Sequence, residues 1–195
     1  MNILALDCAG KTLCAALVCK DEVFEKNSGS AGSRKHNSLI LPFVDEMLSA
    51  AGISVRELDA IACVVGPGSF TGIRIGVSTA HALARVTGAK LISLNTLQVK
   101  ARGEQGEFAV ALQCRPTESY FALFEGDWLH MKECRAADES EIASLGVRVI
   151  RHEGSLSAQA LAGAARELAE RGGYAASLAP LYLKKSQAER LADGN

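Results

Sequence analysis

The stretch that decides the fold is Ala60-Ile-Ala-Cys-Val-Val65, followed by Gly66-Pro-Gly-Ser-Phe-Thr-Gly72. Six apolar residues in succession predict a strand that is buried on both faces, as in the centre of a parallel sheet. The glycine-rich turn leads into a predicted helix over residues 71–87, which Gly88 ends. Because another apolar strand follows at residues 90–94, this order predicts parallel pairing through a right-handed crossover and an α/β fold.

The residues before this stretch complete a predicted first lobe. Short apolar runs at residues 2–7, 14–19 and 23–24 are separated by turn residues, which predicts a meander of three strands. A helix is predicted over residues 36–51, because apolar pairs recur there every four residues and Gly52 follows.

The residues after this stretch predict a smaller second lobe. Strand patterns occur at residues 108–114, 119–125, 128–133 and 147–150, and an alanine-rich amphipathic helix is predicted at residues 157–171. We therefore predict that residues 1–103 form one lobe and that residues 104–195 form a shortened second lobe with a polar tail.

The composition argues against several classes of protein. The chain has 21 basic and 22 acidic residues, whereas a dedicated nucleic-acid binder usually has a basic excess or a basic stripe. The six cysteines show no C-x-x-C spacing, which indicates a reducing cytosol rather than a disulfide framework or a zinc site. We also expect no signal peptide and no membrane span, because the apolar runs are short.

A phosphate site is one of two interpretations of the glycine-rich turn. Glycines let a ligand approach the backbone, a helix N-terminus favours anions, and a carboxylate at a strand end can hold a metal-bound phosphate. The candidate phosphate-binding residues are Asp7, Gly66, Gly68, Ser69 and Thr71. The alternative is a sharp turn without a ligand, which we favour because Ile73 stands where a phosphate-binding loop of the Walker type has lysine.

The sequence contains no complete set of catalytic residues. The four histidines lack the spacing of a metal site, and no G-x-S-x-G nucleophile motif occurs. No cysteine has a neighbouring base that would mark it as a nucleophile. We therefore predict no catalytic residue and no metal ligand.

Several motifs taken together resemble the TsaB (YeaZ) family. They are Ile3-Leu-Ala-Leu-Asp7, Arg34-Lys-His36, Leu41-Pro42, the block Gly66-Pro-Gly-Ser-Phe-Thr-Gly-Ile-Arg-Ile-Gly76, and Pro180-Leu-Tyr-Leu183. The resemblance is strong over residues 1–102 and patchy thereafter. It implies an actin/hexokinase-like fold (ASKHA, related to RNase H) with two related lobes.

The resemblance also implies a role in tRNA modification. A TsaD-type partner carries the metal and transfers threonylcarbamoyl to N6 of adenosine 37 in tRNA, a TsaE-type ATPase joins the complex, and a TsaC-type enzyme makes the adenylate donor. This chain is then a non-catalytic scaffold in the cytoplasm without a cofactor of its own, since ATP or ADP and the metal belong to the partners. From the balanced charge we expect it to reach tRNA only through the complex, and from the small residues of the second long helix we expect a homodimer when it is isolated.

Three departures from the family pattern bear on a nucleotide site. Asp7-Cys8-Ala9 stands where family members often have Asp-Thr-Ser. Gln113-Cys-Arg-Pro-Thr-Glu-Ser-Tyr120 stands where many have Asp-Ala-Arg-Arg-Gly-Glu-Val-Tyr. The chain is also shorter than usual, with the deficit in the second lobe, and all three departures weaken the prediction of a nucleotide site.

We predict that the two long helices of the first lobe form the partner surface. Gly76, Ala80 and Ala84 recur every four residues, so another helix could approach closely. The predicted surface consists of His36, Ile40, Phe43, Met47, Arg74, Gly76, Val77, Ala80, His81 and Ala84.

Two enzyme classes remain as alternatives. A small ASKHA-type sugar or acyl kinase would turn over ATP and would need a second phosphate-binding loop. A glycoprotease-like hydrolase would need a pair of metal-binding histidines or an activated nucleophile.

Overall fold

The first lobe is built on a five-stranded sheet with the strand order β3-β2-β1-β4-β5. The computed structural model describes residues 1–29 and 36–184. Strands β1 (Ile3–Asp7), β2 (Cys14–Cys19) and β3 (Glu22–Asn27) form the predicted antiparallel meander. Strands β4 (Ala60–Gly66) and β5 (Lys90–Asn95) continue the sheet in parallel on the other side of β1.

Helices cover both faces of this sheet. Helices α1 (His36–Ala51) and α2 (Phe70–Thr87) pack on one face, while α5 (Ala158–Glu170) packs on the other. Every residue of β1, β2 and β4 is buried, as the apolar runs in the sequence predict. The alanines that face inward from α5 allow this helix to lie close to the sheet.

The second lobe repeats the strand order of the first. Strands β6 (Gln105–Arg115), β7 (Glu118–Asp127) and β8 (Met131–Asp138) form an antiparallel meander, and β9 (Arg148–His152) pairs in parallel with β6. The resulting order β8-β7-β6-β9 corresponds to β3-β2-β1-β4 without a fifth strand. The predicted actin/hexokinase-like fold with two related lobes and a shortened second lobe is confirmed.

The structure divides the chain differently from the predicted boundary near residue 103. Helix α3 (Thr96–Lys100) does end just before that point. However, α5 contacts strands of the first sheet, and Ala175 forms a β-bridge with Leu91 of β5. The chain therefore returns to the first lobe after β9, and the assignment of all of residues 104–195 to the second lobe is corrected.

Most predicted elements are present with shifted ends. The boundaries of α1 are as predicted, and Ser54 with Glu57 forms a capping box before a single 3-10 turn. The strands of the second lobe are longer than their apolar runs, and α4 (Glu139–Ala143) was not predicted. Within the described residues, no helix combines the length and apolar character that crossing a bilayer requires.

Candidate functional site

Asp7 ends β1 with its carboxylate turned into the protein. The side chain is only 1% exposed, and its Oδ1 accepts a hydrogen bond of 2.8 Å from the backbone N–H of Ala9. Burial raises the pKa of Asp7 to about 6, although backbone hydrogen bonds from Ala9 and Gly10 and the nearby charge of Lys100 act in the opposite direction. The carboxylate thus holds the turn that follows β1, as expected for an ordinary aspartate at a strand end.

The glycine-rich turn between β4 and α2 packs directly against this β1 end. The backbone N–H of Ser69 donates to the carbonyl oxygen of Ala9 over 2.9 Å. A Cβ on Gly68 would lie 2.4 Å from that same oxygen, and a Cβ on Gly72 would lie 1.9 Å from the carbonyl oxygen of Cys8. These glycines therefore allow two backbone segments to touch, and a backbone oxygen lies where a Cβ at either position would point.

The other phosphate candidates also have partners within the chain, or face solvent. The hydroxyl of Ser69 caps α2 by accepting from the N–H of Gly72 at 3.2 Å. At Gly66, where φ is +125°, a Cβ would lie 2.5 Å from the carbonyl oxygen of Leu181. Thr71 is exposed. The five candidates lie near one another, and the contacts that Asp7, Gly66, Gly68 and Ser69 make favour packing over phosphate binding.

The turn between β1 and β2 is covered by the loop that precedes α5. The backbone N–H of Thr12 donates to the hydroxyl of Ser155 at 3.3 Å, and a Cβ on Gly10 would lie 2.9 Å from that hydroxyl. Lys100 donates to the carbonyl oxygen of Gly154 at 3.1 Å. This part of the chain thus packs on the turn beside Asp7.

A cleft of about 580 Å³ remains between the two lobes. Gly10, Lys11 and Gly68 line it from the first lobe, and Cys114 and His152 contribute to the opposite wall. Burial lowers the pKa of His152, the charge of Lys100 acts in the same direction, and Nε2 of His152 is buried without a hydrogen-bond partner among the described residues. Within residues 1–29 and 36–184, no group of three or more His, Cys, Asp or Glu side chains is arranged to hold a metal ion.

Six of the ten residues predicted to face a partner are buried in the fold. They are His36, Ile40, Met47, Gly76, Val77 and Ala80. A Cβ on Gly76 would lie 3.2 Å from Sγ of Cys63 in β4, so the small residues of α2 face the sheet of this chain. Buried side chains do not reach a partner, so the prediction of a partner surface is corrected for these six. Periodicity marks an apolar stripe without indicating which neighbour covers it.

His36 illustrates this correction. Its side chain is fully buried at the start of α1, and neither ring nitrogen has a hydrogen-bond partner among the described residues. Burial lowers the pKa of His36, while the backbone of Lys11 and Cys8 acts in the opposite direction. The basic residues that precede it in the chain, Arg34 and Lys35, lie outside the described residues, as does Lys185.

The four remaining residues of the predicted surface are at least partly exposed. Phe43 and Ala84 are half-buried. Arg74 donates from Nε to the hydroxyl of Tyr182 at 3.0 Å, and His81 accepts at Nε2 from the backbone N–H of Leu178 at 3.2 Å. Two of the four therefore hold the C-terminal segment of the same chain.

The apolar side chains that α1 and α2 do expose are different ones. Leu41 on α1 is 55% exposed, and Val86 on α2 is 63% exposed. The predicted surface omitted them because both lie off the apolar stripes. The sequence feature that could have indicated Leu41 as part of the partner surface is the Leu41-Pro42 motif, which the chain shares with the family.

Comparison with known proteins supports the resemblance seen in the motifs. A family model described as TsaD, tRNA N6-adenosine threonylcarbamoyltransferase, matches residues 29–140. The tRNA threonylcarbamoyladenosine biosynthesis protein TsaB of Escherichia coli is 34% identical over 157 residues, which cover 73% of this chain and 64% of that protein. The TsaB protein of Haemophilus influenzae is 34% identical over 127 residues, which cover 63% of this chain and 53% of the relative.

The aligned regions thus span between about half and two thirds of these relatives. Among solved structures, YeaZ from Pseudomonas aeruginosa superposes with a TM-score of 0.76. The match covers 93% of this chain and 99% of that structure at 21% identity, and the TM-score over this coverage shows that the two proteins share a fold.

Proposed function

The chain belongs to the TsaB (YeaZ) family, and from that premise we propose that it is a non-catalytic subunit in the threonylcarbamoylation of tRNA. In this proposal a TsaD-type subunit transfers threonylcarbamoyl to N6 of adenosine 37, and a TsaE-type ATPase joins the complex. The present chain supplies a folded surface that the catalytic subunit needs.

The observation that carries this proposal is the packing between the glycine-rich turn and the end of β1. In this chain the carbonyl oxygens of Cys8 and Ala9 occupy the space beside Gly72 and Gly68, and Ser155 packs on Gly10. These backbone contacts hold the turns in place without a ligand, and the cleft that Gly10 and Gly68 line lies beside them.

The outer faces of α1 and α2 are the proposed partner surface. Apolar side chains at a protein–protein interface contribute most when the partner removes them from water. Leu41 and Val86 are the large apolar side chains that these helices expose, and Phe43 and Ala84 are partly exposed. We propose that this revised surface binds the TsaD-type subunit and pairs with a second copy of the chain when that subunit is absent.

Complex formation with variants of this surface tests the proposal. Leu41→Arg and Val86→Arg should each weaken binding to a purified TsaD-type subunit by roughly tenfold or more, since about 1.4 kcal/mol corresponds to a factor of ten. The yield of modified tRNA in a reconstituted reaction should fall with the amount of complex. Ala50→Arg is the matched control, because Ala50 is an exposed α1 residue about half a turn around the helix from Leu41.

Unchanged binding by both variants, measured by calorimetry with the folded proteins, would place the partner surface elsewhere. Sedimentation of the isolated chain tests the homodimer, which the same two substitutions should weaken. The isolated chain should also show no ATP hydrolysis, peptide cleavage or threonylcarbamoyl transfer. ATP turnover that depends on Asp7 would instead favour the kinase alternative.

A further inference from the structure

The C-terminal segment, residues 178–184, is attached to the first lobe along most of its length. The backbone N–H of Leu181 donates to the carbonyl oxygen of Val65 at 2.8 Å, so the segment follows the end of β4. The ring of Tyr182 stacks on Phe70 at the start of α2, with 4.4 Å between the ring centroids. These contacts fix the segment on the first lobe up to its last two residues.

The side chain of Lys184 then reaches the second lobe. Its ammonium lies 2.6 Å from Oε2 of Glu118, 3.1 Å from Sγ of Cys114 and 5.6 Å from the centre of the Tyr120 ring. The Lys184 side chain is only 17% exposed, so solvent screens the attraction to Glu118 incompletely. The segment is therefore held by both lobes.

The backbone connections hold a different part of the second sheet. Within the described part of the chain, the backbone passes between the lobes twice: residues 101–104 lead from α3 into the start of β6, and residues 153–157 lead from the end of β9 into α5. Glu118 begins β7, which lies on the other side of β6 from β9. Lys184 therefore fastens the side of the sheet that neither backbone connection reaches.

The contact of Lys184 lies at the cleft between the lobes. Cys114 and Tyr120, which Lys184 contacts, line the cleft from the second lobe. Gly68 lines it from the first lobe and is two residues before Phe70, on which the C-terminal segment is anchored. The segment thus bridges the two walls of the cleft.

We propose that the C-terminal segment is a latch that sets the opening of this cleft. While Tyr182 stacks on Phe70 and Lys184 binds Glu118, the second lobe is held against the first. Loss of either contact lets the second lobe turn about the two backbone connections and widens the cleft. The latch therefore controls which molecules reach the cleft, and this role does not depend on the proposed partner surface.

His152 provides a readout of the opening that is separate from the latch. Its side chain lines the cleft, and its Nε2 is buried without a hydrogen-bond partner among the described residues. The charges that shift the pKa of His152 are those of Lys100 and Glu104. Removal of the charge of Lys184 should therefore change the access of a reagent to His152 rather than its protonation.

Labelling with diethyl pyrocarbonate, which acylates neutral imidazole, tests the latch in the full chain. Labelled peptides are quantified by mass spectrometry. Lys184→Gln should raise the labelling rate of His152 by between roughly threefold and tenfold, because a partly buried charge-assisted contact is lost. Tyr182→Ala should have the same effect, because it removes the anchor on the first lobe. The matched control is Lys132→Gln, which breaks an ion pair with Glu125 inside the second sheet and should leave the rate unchanged.

Internal references separate opening from unfolding. The side chain of His130 is 68% exposed, so its labelling rate should be the same in every variant. His36 is fully buried in the first lobe, and Trp128, the single tryptophan, is 4% exposed in the second. An unlabelled His36 and an unchanged emission of Trp128 show that both lobes are folded. If Tyr182→Ala fails this criterion, Phe70→Leu removes the same stacking contact from the other side.

Three results would overturn the proposal. An unchanged rate at His152 in the Lys184→Gln chain would show that other contacts set the cleft. A higher rate in Lys184→Gln but not in the folded variant that lacks the stacking contact would confine the effect of Lys184 to the second sheet. An equal increase in Lys132→Gln would show that loss of any ion pair of that sheet opens the cleft.

Discussion

At the scale of the residue, Asp7 combines an unusual pKa with a structural task. Burial raises its pKa to about 6, and such shifts often mark functional sites. Its carboxylate accepts from the N–H of Ala9, and the carbonyl oxygen of Ala9 in turn accepts from the N–H of Ser69. Asp7 thus organises the contact between two backbone turns.

Replacing Asp7 by Asn should stabilise the protein at alkaline pH. The folded state binds the proton of Asp7 more tightly than the unfolded chain, so this group's contribution to stability falls as pH rises from the usual pKa of 3.8 past about 6. Asn keeps an acceptor for the turn without this cost. At pH 8 the free energy of unfolding should therefore rise by up to about 3 kcal/mol, and the gain should disappear below about pH 4.

Urea unfolding at several pH values measures this difference. Asp45→Asn is the control, because Asp45 is exposed on α1 and should show no comparable gain. A loss of stability at pH 8 in the Asp7→Asn variant would show that the charged carboxylate stabilises the fold.

At the scale of the element, the position of α2 depends on the close contact between its first turn and the end of β1. Gly72 and Gly68 touch the backbone of Cys8 and Ala9, and a Cβ on Gly76 would lie 3.2 Å from Sγ of Cys63. A helix with ordinary side chains at these positions would lie farther from the strand. The glycines therefore determine the position of the whole helix, including the outer face that carries Val86.

Gly72→Ala should destabilise the fold strongly. The new methyl group would lie 1.9 Å from a backbone oxygen, which cannot rotate away as a side chain can. We expect the free energy of unfolding to fall by more than about 3 kcal/mol. Thr71→Ala, at the exposed neighbouring position, should change it by less than about 0.5 kcal/mol.

Thermal and urea unfolding of the two variants measure this difference. A Gly72→Ala chain as stable as the original would show that the contact with β1 relaxes easily, which would reopen the phosphate interpretation of the turn.

At the scale of the whole molecule, the charges are balanced and locally paired. The chain has 21 basic and 22 acidic residues. Many basic side chains of the described residues form ion pairs with carboxylates, among them Lys26, Arg102, Arg115, Lys132, Arg135, Arg148, Arg151, Arg166, Arg171 and Lys184. Lys184, next to the tail of the chain, binds Glu118.

The isolated chain should therefore bind tRNA weakly. Phosphate neutralisation provides most non-specific affinity, and paired cations would first have to give up their carboxylates. We expect a dissociation constant no better than roughly 10⁻⁴ to 10⁻⁶ M at physiological salt. Fluorescence anisotropy with purified tRNA measures it, and nanomolar binding would assign the RNA-binding role to this chain.

The sequence by itself was sufficient for the five strands and two long helices within residues 1–103. Apolar runs predict buried strands, four-residue periodicity predicts α1, and Gly88 marks the end of α2, because each of these patterns records the local backbone geometry and the burial of one face. The family motifs lie in the same region. In the second lobe the alternation is weaker, so the strands were located but their ends were not, and α4 was missed.

Only the tertiary structure shows which residues pack against the glycines and apolar stripes of these motifs. Gly72 packs against Cys8, Gly10 packs against Ser155, and Gly66 packs against Leu181. These contacts join residues far apart in the chain, so a local pattern could not distinguish a turn that binds phosphate from one that packs on backbone. The same reason explains why the apolar face of α2 was taken for a partner surface, and why α5 was assigned to the lobe that precedes it in sequence rather than to the sheet it covers.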